Sequence, residues 1–227
     1  MAAPDAVLWD LDGTLIDSEP YWIAGEQALA GHYGVDWTHE DALGVVGMAL
    51  LDAAAVLHGA GIPLEPPKIV ELMVDHVVEK LGEEVPWRPG ARELLGALGA
   101  AGIPCALVTM SYRSIADRVA SSLPAGTFAT IVAGDEVQRG KPDPEPYLVA
   151  AGRLGVDIER CLIVEDSRTG LASAEASGAR VLAVPAHVEI PPAPGRSRLP
   201  TLEGVTIADL GRIAAGETVD QLAVAAT

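Results

Sequence analysis

The spacing of apolar and polar positions changes along this chain. Residues 6–11 (AVLWDL) form a short apolar run that ends in acidic residues and Gly13, the pattern of a buried strand. From about residue 19 to residue 81, polar and apolar positions mix at helical spacing. Breaks near residues 34–38 and 61–67 divide this block into three or four helices. Pro86, Pro89 and Gly90 then punctuate the chain, and residues 91–101 read as a helix closed by Gly102. Beyond it the pattern alternates, with strands over residues 103–108, 128–132, 161–164 and 179–184. Helices fall between them over residues 111–122, 145–154 and 167–177.

Strands alternating with helices at this spacing predict an α/β fold, a doubly wound parallel sheet with an inserted α-helical domain. The expected core comprises residues 1–17 and 84–227, and the expected insert, placed after the first strand, comprises residues 18–83. Residues 185–200 read as a proline-rich surface loop. The tail after Gly216 is expected to fray.

In open parallel sheets, ligands bind outside the carboxyl ends of the strands. Reactive residues fall there four times in this chain. Asp10 and Asp12 close the first strand, Thr109 follows the second, Lys141 follows the third after a loop, and Glu165 with Asp166 follows the fourth. Asp10 and Asp12 project to one side of an extended segment, with Leu11 pointing away. Two such carboxylates repel unless a cation sits between them or one is protonated, and a hard divalent metal suits oxygen ligands of this kind. An Asp-x-Asp by itself is no more than a solvated strand-end turn. The string Asp10-Leu11-Asp12-Gly13-Thr14-Leu15 after an apolar strand says more. Ser167 suits a helix N-cap, and Ala172, Ala174 and Ala176 let the helix it opens pack close to the sheet.

Composition narrows the function. Of 227 residues, 49% are apolar and 21% charged, which is ordinary for a globular protein. The formal net charge of −17 repels DNA and anionic membranes over most of the surface, so no nucleic-acid or membrane partner is expected. A small anionic substrate stays possible if a metal and a few cations concentrate in one cleft. Cys105 and Cys161 lie in or beside apolar runs and are expected as free buried thiols. No basic-then-apolar leader opens the chain, and no apolar run approaches the roughly 18 residues of a membrane span, so the cytoplasm is the expected compartment.

The motifs resemble those of the haloacid dehalogenase superfamily in its phosphatase branch. WDLDGTLIDSEP at residues 9–20 looks like the first motif of that family and VTMS at residues 108–111 like the second. GKPDPEPY at residues 140–147 resembles the third and VEDSRTG at residues 164–170 the fourth. The resemblance spans roughly residues 6–185, in the family's order and spacing. It implies a Rossmann-like catalytic core, with residues 18–83 as a mobile helical cap.

It also implies roles. Asp10 is the nucleophile that forms an aspartyl phosphate. Asp12 protonates the leaving alkoxide and then activates water. Mg²⁺ is held by Asp10, Asp12 through its backbone carbonyl, and Asp166, with Glu165 as a further ligand or a support behind the ligands. Thr109, Met110, Ser111 and Lys141 bind the phosphoryl group, and Lys141 balances charge. Met110 stands where the family often has Asn, so one side-chain contact to phosphate is lost. Tyr21, Trp22, Gly47 and Met48 are candidates for the cap face, although the two aromatics read equally well as cap core. The five histidines, His32, His39, His58, His76 and His187, show no metal spacing and read as surface or packing residues.

The expected activity is Mg²⁺-dependent hydrolysis of a small phosphorylated metabolite, by a monomer or a dimer. The alternative is a β-phosphoglucomutase-like isomerase, which shares all four motifs. Residues 45–54 (VVGMALLDAA) lack the basic residue expected of such a cap. A dehalogenase lacks an acid at the position of Asp12. A receiver domain carries its phosphorylated aspartate after the third strand.

Overall fold

A computed structural model describes residues 3–222 and divides the chain into two compact units. One unit is Met1–Asp17 with Trp87–Thr227, and the other is Ser18–Pro86.

The first unit is built on six parallel strands: β1 (Ala6–Trp9), β2 (Cys105–Val108), β3 (Thr130–Val132), β4 (Cys161–Glu165), β5 (Arg180–Ala183) and β6 (Arg196–Arg198). Their order is β3-β2-β1-β4-β5-β6, so the chain starts in the middle and winds outward in both directions. Every residue of β1, β2 and β4 is buried, which is why these strands are apolar on both faces. Ala6, Leu8, Ala106, Val108, Ile163 and Val181 share one core cluster with α7 (Glu145–Leu154) and α8 (Arg168–Ser177). Against the sheet's remaining surface pack α5 (Ala91–Ala100) and α9 (Ile207–Ala214). The short α6 (Arg113–Ala120) leads on from the end of β2. Cys105 and Cys161 are free and buried.

The second unit holds four helices: α1 (Glu19–His32), α2 (His39–Val45), α3 (Leu50–Gly59) and α4 (Pro66–Glu83). The longest, α4, starts on two prolines and buries Ile69, Val70, Met73, Val74, Val77 and Leu81, a stripe at helical spacing that packs against α1 and α3. The break between α2 and α3 carries no strong turn signal beyond Gly47, which takes φ 77°. One carboxylate lies inside this apolar unit. Glu26 is 6% exposed and accepts a hydrogen bond from Trp37 Nε1 at 3.0 Å. Burial pushes its carboxyl up to about 7, with the charge of Glu19 adding to the rise and the Trp37 bond opposing it. A small cavity of about 30 Å³ lies beside it, lined by Trp22, Leu57 and Met73 among others. Trp22 is half-buried and lines this cavity of its own unit, while Met48 is 46% exposed.

The sequence expectation fails at the C-terminal end. Residues 185–200 are not only loop, because Arg196–Arg198 forms β6, with Ser197 and Arg198 buried. Nor does the described tail fray. Arg198 N–H donates to Val219 O at 2.8 Å, and Gln221 N–H donates back to Arg198 O at 2.9 Å. The Arg198 guanidinium reaches both Asp220 carboxylate oxygens, at 3.1 and 2.7 Å, and the Ile190 carbonyl at 2.7 Å. Helix α9, opened by a capping box between Thr206 and Asp209, also escaped the pattern reading. The last residues of the expected tail, 223–227, lie outside the described residues. The expected strands 103–108 and 128–132 are each two residues too long at their starts, since β2 begins at Cys105 and β3 at Thr130. There the apolar run begins before the hydrogen-bonded ladder does.

Candidate active site

Four strand ends bring the candidate residues together. Asp10 follows β1, its N–H bonded to Val164 O at 3.1 Å. The chain then turns at once: Leu15 N–H and Ile16 N–H return to Leu11 O, and Gly13 N–H donates to Ile16 O at 2.8 Å. Gly13 takes φ 85°, and a Cβ there would fall on the Asp166 carboxylate, so both the turn and the close approach require glycine. Thr14 Oγ1 lies 3.5 Å from Asp166 Oδ1.

Lys141 comes from the loop between β3 and α7. The carboxylate of Glu145, in the first turn of α7, accepts from the N–H groups of Gln138 and Arg139, and Ser173 Oγ donates to Asp143 O at 2.6 Å. The loop is thereby tied to two helices, and the Lys141–Pro142 peptide is cis. Lys141 Nζ donates to Asp10 Oδ1 at 2.6 Å, Glu165 Oε1 at 2.6 Å and Val108 O at 3.0 Å. An ammonium has three protons, and all three are used. The lysine side chain is 4% exposed.

Glu165 is the last residue of β4 and is fully buried. Its Oε1 accepts from Lys141 and from Tyr147 OH at 2.7 Å, and its Oε2 accepts from the N–H of Asp166 and from both N–H and Oγ of Ser167. Ser167 also caps α8, accepting from Gly170 N–H at 3.0 Å. Capping and the acidic pair therefore coexist at one helix start.

Asp12 stands apart from these acids. Its Oδ2 accepts from Ser111 Oγ at 2.7 Å and Thr109 Oγ1 at 3.3 Å. Thr109 Oγ1 in turn accepts from Ser111 N–H at 2.9 Å. Among the second-motif residues, Met110 turns its side chain to the lysine loop, where its sulfur accepts from Lys141 N–H at 3.2 Å.

Asp10, Glu165 and Asp166 each offer a carboxylate oxygen within 4.8 Å of the others, and all three residues are buried. No histidine joins this cluster among the described residues. Burial, then the charge of Glu165, raises the Asp10 carboxyl to about 7 against the pull of Lys141. The Asp166 carboxyl is pushed well above the usual range, by burial first and then by the charges of Asp10 and Glu165. Burial works against the charged form of Lys141, but Asp10 and Glu165 outweigh it and the net shift is upward. One cation among three buried carboxylates leaves negative charge uncompensated. A hard divalent cation with oxygen ligands fits that deficit.

Tyr147 belongs to this site and was given no role from the sequence, although it ends the string GKPDPEPY. A tyrosine predicted on a buried helix face has a hydroxyl that needs a partner, and that was the available signal. Gly170 was missed too. A Cβ there would fall on the Glu165 carboxylate.

A family description, haloacid dehalogenase-like hydrolase, matches residues 7–184. The chain is 33% identical over 197 residues to hexitol phosphatase A of Escherichia coli, covering 81% of this chain and 84% of that protein. It is 32% identical over 184 residues to the bifunctional riboflavin kinase/FMN phosphatase of Arabidopsis thaliana. That match takes in 79% of this chain but spans only 48% of the plant protein. Among solved structures, CbbY from Rhodobacter sphaeroides in complex with phosphate superposes with a TM-score of 0.81 at 28% identity, covering 91% of this chain and 99% of that one. With a matched stretch from β1 to the end of β5 that contains every strand-end residue of the site, the chain belongs to the haloacid dehalogenase-like hydrolase family.

Proposed function

We propose that this protein is a Mg²⁺-dependent phosphatase that hydrolyses a small sugar or polyol phosphate through an aspartyl phosphate on Asp10. The observation that carries the reading is the buried group of Asp10, Asp166 and Lys141 at the carboxyl edge of the sheet. Phosphate monoesters are among the slowest bonds to hydrolyse, with enzymic accelerations reaching on the order of 10²¹. Catalysis then depends on positioning and on positive charge at the transferring group. Asp10 and Asp166 with the Asp12 carbonyl would hold Mg²⁺, which supplies positive charge to the phosphoryl oxygens when bound.

An Asp10 carboxylate oxygen attacks phosphorus, and the bond to the substrate's ester oxygen breaks. Asp12 gives its proton to the departing alkoxide. It then takes a proton from the water that attacks the aspartyl phosphate, releasing inorganic phosphate and restoring Asp10. Thr109 and Ser111 aim Asp12 for both transfers through their hydroxyls. Lys141 offsets charge on Asp10 so that an anionic phosphoryl group can approach. Glu165, with both oxygens engaged by protein donors, holds Lys141 and braces the metal position from behind.

The unit Ser18–Pro86 is the cap, and its chemistry favours a phosphatase over a mutase. Lys68 and Lys80 are its only lysine or arginine side chains, and they pair with Glu71 and Glu83. A mutase cap needs fixed cations to grip a bisphosphate while it reorients. The names of the relatives, hexitol phosphatase A among them, support a sugar or polyol phosphate as substrate.

The test is a panel of sugar and polyol phosphates with Mg²⁺, read as released inorganic phosphate, beside Asp10→Asn and an EDTA control. Release by the parent that is lost in Asp10→Asn and in EDTA is the expected result. Undiminished turnover by Asp10→Asn refutes the covalent route. Conversion of β-glucose 1-phosphate to glucose 6-phosphate faster than phosphate release makes the protein a mutase.

A further inference from the structure

We propose that Tyr147 is a positioning residue for the reaction: its hydroxyl holds Glu165 so that Lys141 stays shared with Asp10.

The geometry is a buried chain of donors and acceptors. Tyr147 stands in the first turn of α7, fully buried, with its ring inside the core cluster of Leu8, Val108 and Ile163. Its hydroxyl donates to Glu165 Oε1 at 2.7 Å. Glu165 Oε1 also accepts from Lys141 Nζ at 2.6 Å, and the ammonium stands equally far, 2.6 Å, from Asp10 Oδ1. The ammonium also lies 5.0 Å from the centre of the Tyr147 ring. The tyrosine thus touches the lysine's surroundings twice, through its ring face and through Glu165.

Equal distances to two carboxylates mean that the lysine's position depends on how strongly each attracts it. Glu165 is the deeper of the two acids, and without other donors its field would be little screened. The Tyr147 hydroxyl spends its proton on the oxygen that holds the lysine and reduces the negative charge offered there. The donors on Oε2, from Asp166 and Ser167, draw on the same delocalised charge, but only Tyr147 shares with Lys141 the oxygen Oε1. Tyr147 is therefore the donor that meets Lys141 directly at its acceptor atom and weakens the hold of Glu165 there. With that hydroxyl removed, the ammonium moves toward Glu165, and Asp10 loses the cation that lets it meet an anionic phosphoryl group.

This consequence falls on the chemical step more than on binding. Tyr147→Phe keeps the ring, its packing and its face toward the ammonium, and it removes the hydroxyl alone. The expected result is a fall in kcat of roughly tenfold, with KM within about twofold of the parent. In a Glu165→Gln background, Tyr147→Phe is expected to change kcat by less than about twofold, because the charge it moderates is already gone. The folded fraction is measured by circular dichroism at the assay temperature, and kcat is taken per folded molecule at a temperature where both proteins are folded. A Tyr147→Phe variant with parental kcat per folded molecule overturns the inference and leaves Tyr147 as packing. An equal loss with and without Glu165 overturns it as well, since Tyr147 would then not act through that residue. The inference rests on Asp10 as the nucleophile. Asp10→Asn in the same assay separates the two, because turnover by that variant refutes the nucleophile. An inactive Asp10→Asn beside a fully active Tyr147→Phe refutes only the role of Tyr147.

Discussion

The sulfur of Met110 accepts the backbone N–H of Lys141 at 3.2 Å, so the side chain of this second-motif residue supports the loop that carries the cation. The polarizable thioether fills the space left beside Gly140, where a Cβ would come within 2.7 Å of that sulfur. Met110→Ala removes both the acceptor and the filler. We expect a stability loss of about 1–3 kcal/mol and a several-fold fall in kcat, read by urea unfolding and phosphate release. Parental values for both would show that the loop holds Lys141 without Met110.

Lys141 is the cation of a buried cluster. Lys141→Met leaves Asp10, Glu165 and Asp166 to repel one another, and breaking such a buried pairing costs about 3–5 kcal/mol. Turnover should fall at least a hundredfold. Lys141→Arg should not restore it, because a planar fork does not replace a compact ammonium bonded in three directions. Recovery of more than a tenth of parental kcat by the arginine variant would contradict this geometry.

Gly170 gives a test whose sign is reversed from the ordinary rule. It lies inside α8, where alanine is normally better than glycine by about 1 kcal/mol. Here a Cβ would collide with the Glu165 carboxylate, which holds Lys141. Gly170→Ala is expected to lower both the melting temperature and kcat, the latter more than tenfold. A stabilised, active variant would show that Glu165 can move without consequence.

Glu26 makes the helical unit sensitive to pH. In the folded protein its carboxyl is raised to about 7, against 4.5 ordinarily. The sign follows from proton binding: the folded state keeps its proton where the unfolded chain has lost it. Its contribution to stability is therefore full below about 4.5 and declines by about 1.4 kcal/mol per pH unit up to about 7, then levels. Glu26→Gln keeps an oxygen for Trp37 and removes the titration. The variant should match the parent near pH 4.5 and exceed it at pH 8 by about 1–3 kcal/mol in urea unfolding. An unchanged difference between the two proteins across that range would refute the assignment.

The amino-acid order alone determined the alternation of strands and helices and the strand ends at which Asp10, Thr109, Lys141 and Asp166 stand. Both signals are local: apolar runs bury themselves, and glycine, proline and capping residues end elements within a few positions. Helix α7 falls on the expected residues because Pro144 and Gly155 bracket it. Tertiary structure decided what depends on partners far along the chain. Arg-Ser-Arg at residues 196–198 looks like surface loop; it is a strand because it pairs with β5, and Asp220 and the Ile190 carbonyl satisfy the guanidinium that this buries. Glu165 accepts from Lys141 and Tyr147, 24 and 18 residues away, and no local pattern announces either donor. Gly170 looks like a weak spot in a helix until the carboxylate above it is in place. A buried charge is tolerated only where its partners converge, and that convergence is a property of the packed sheet edge, which no stretch of the chain carries by itself.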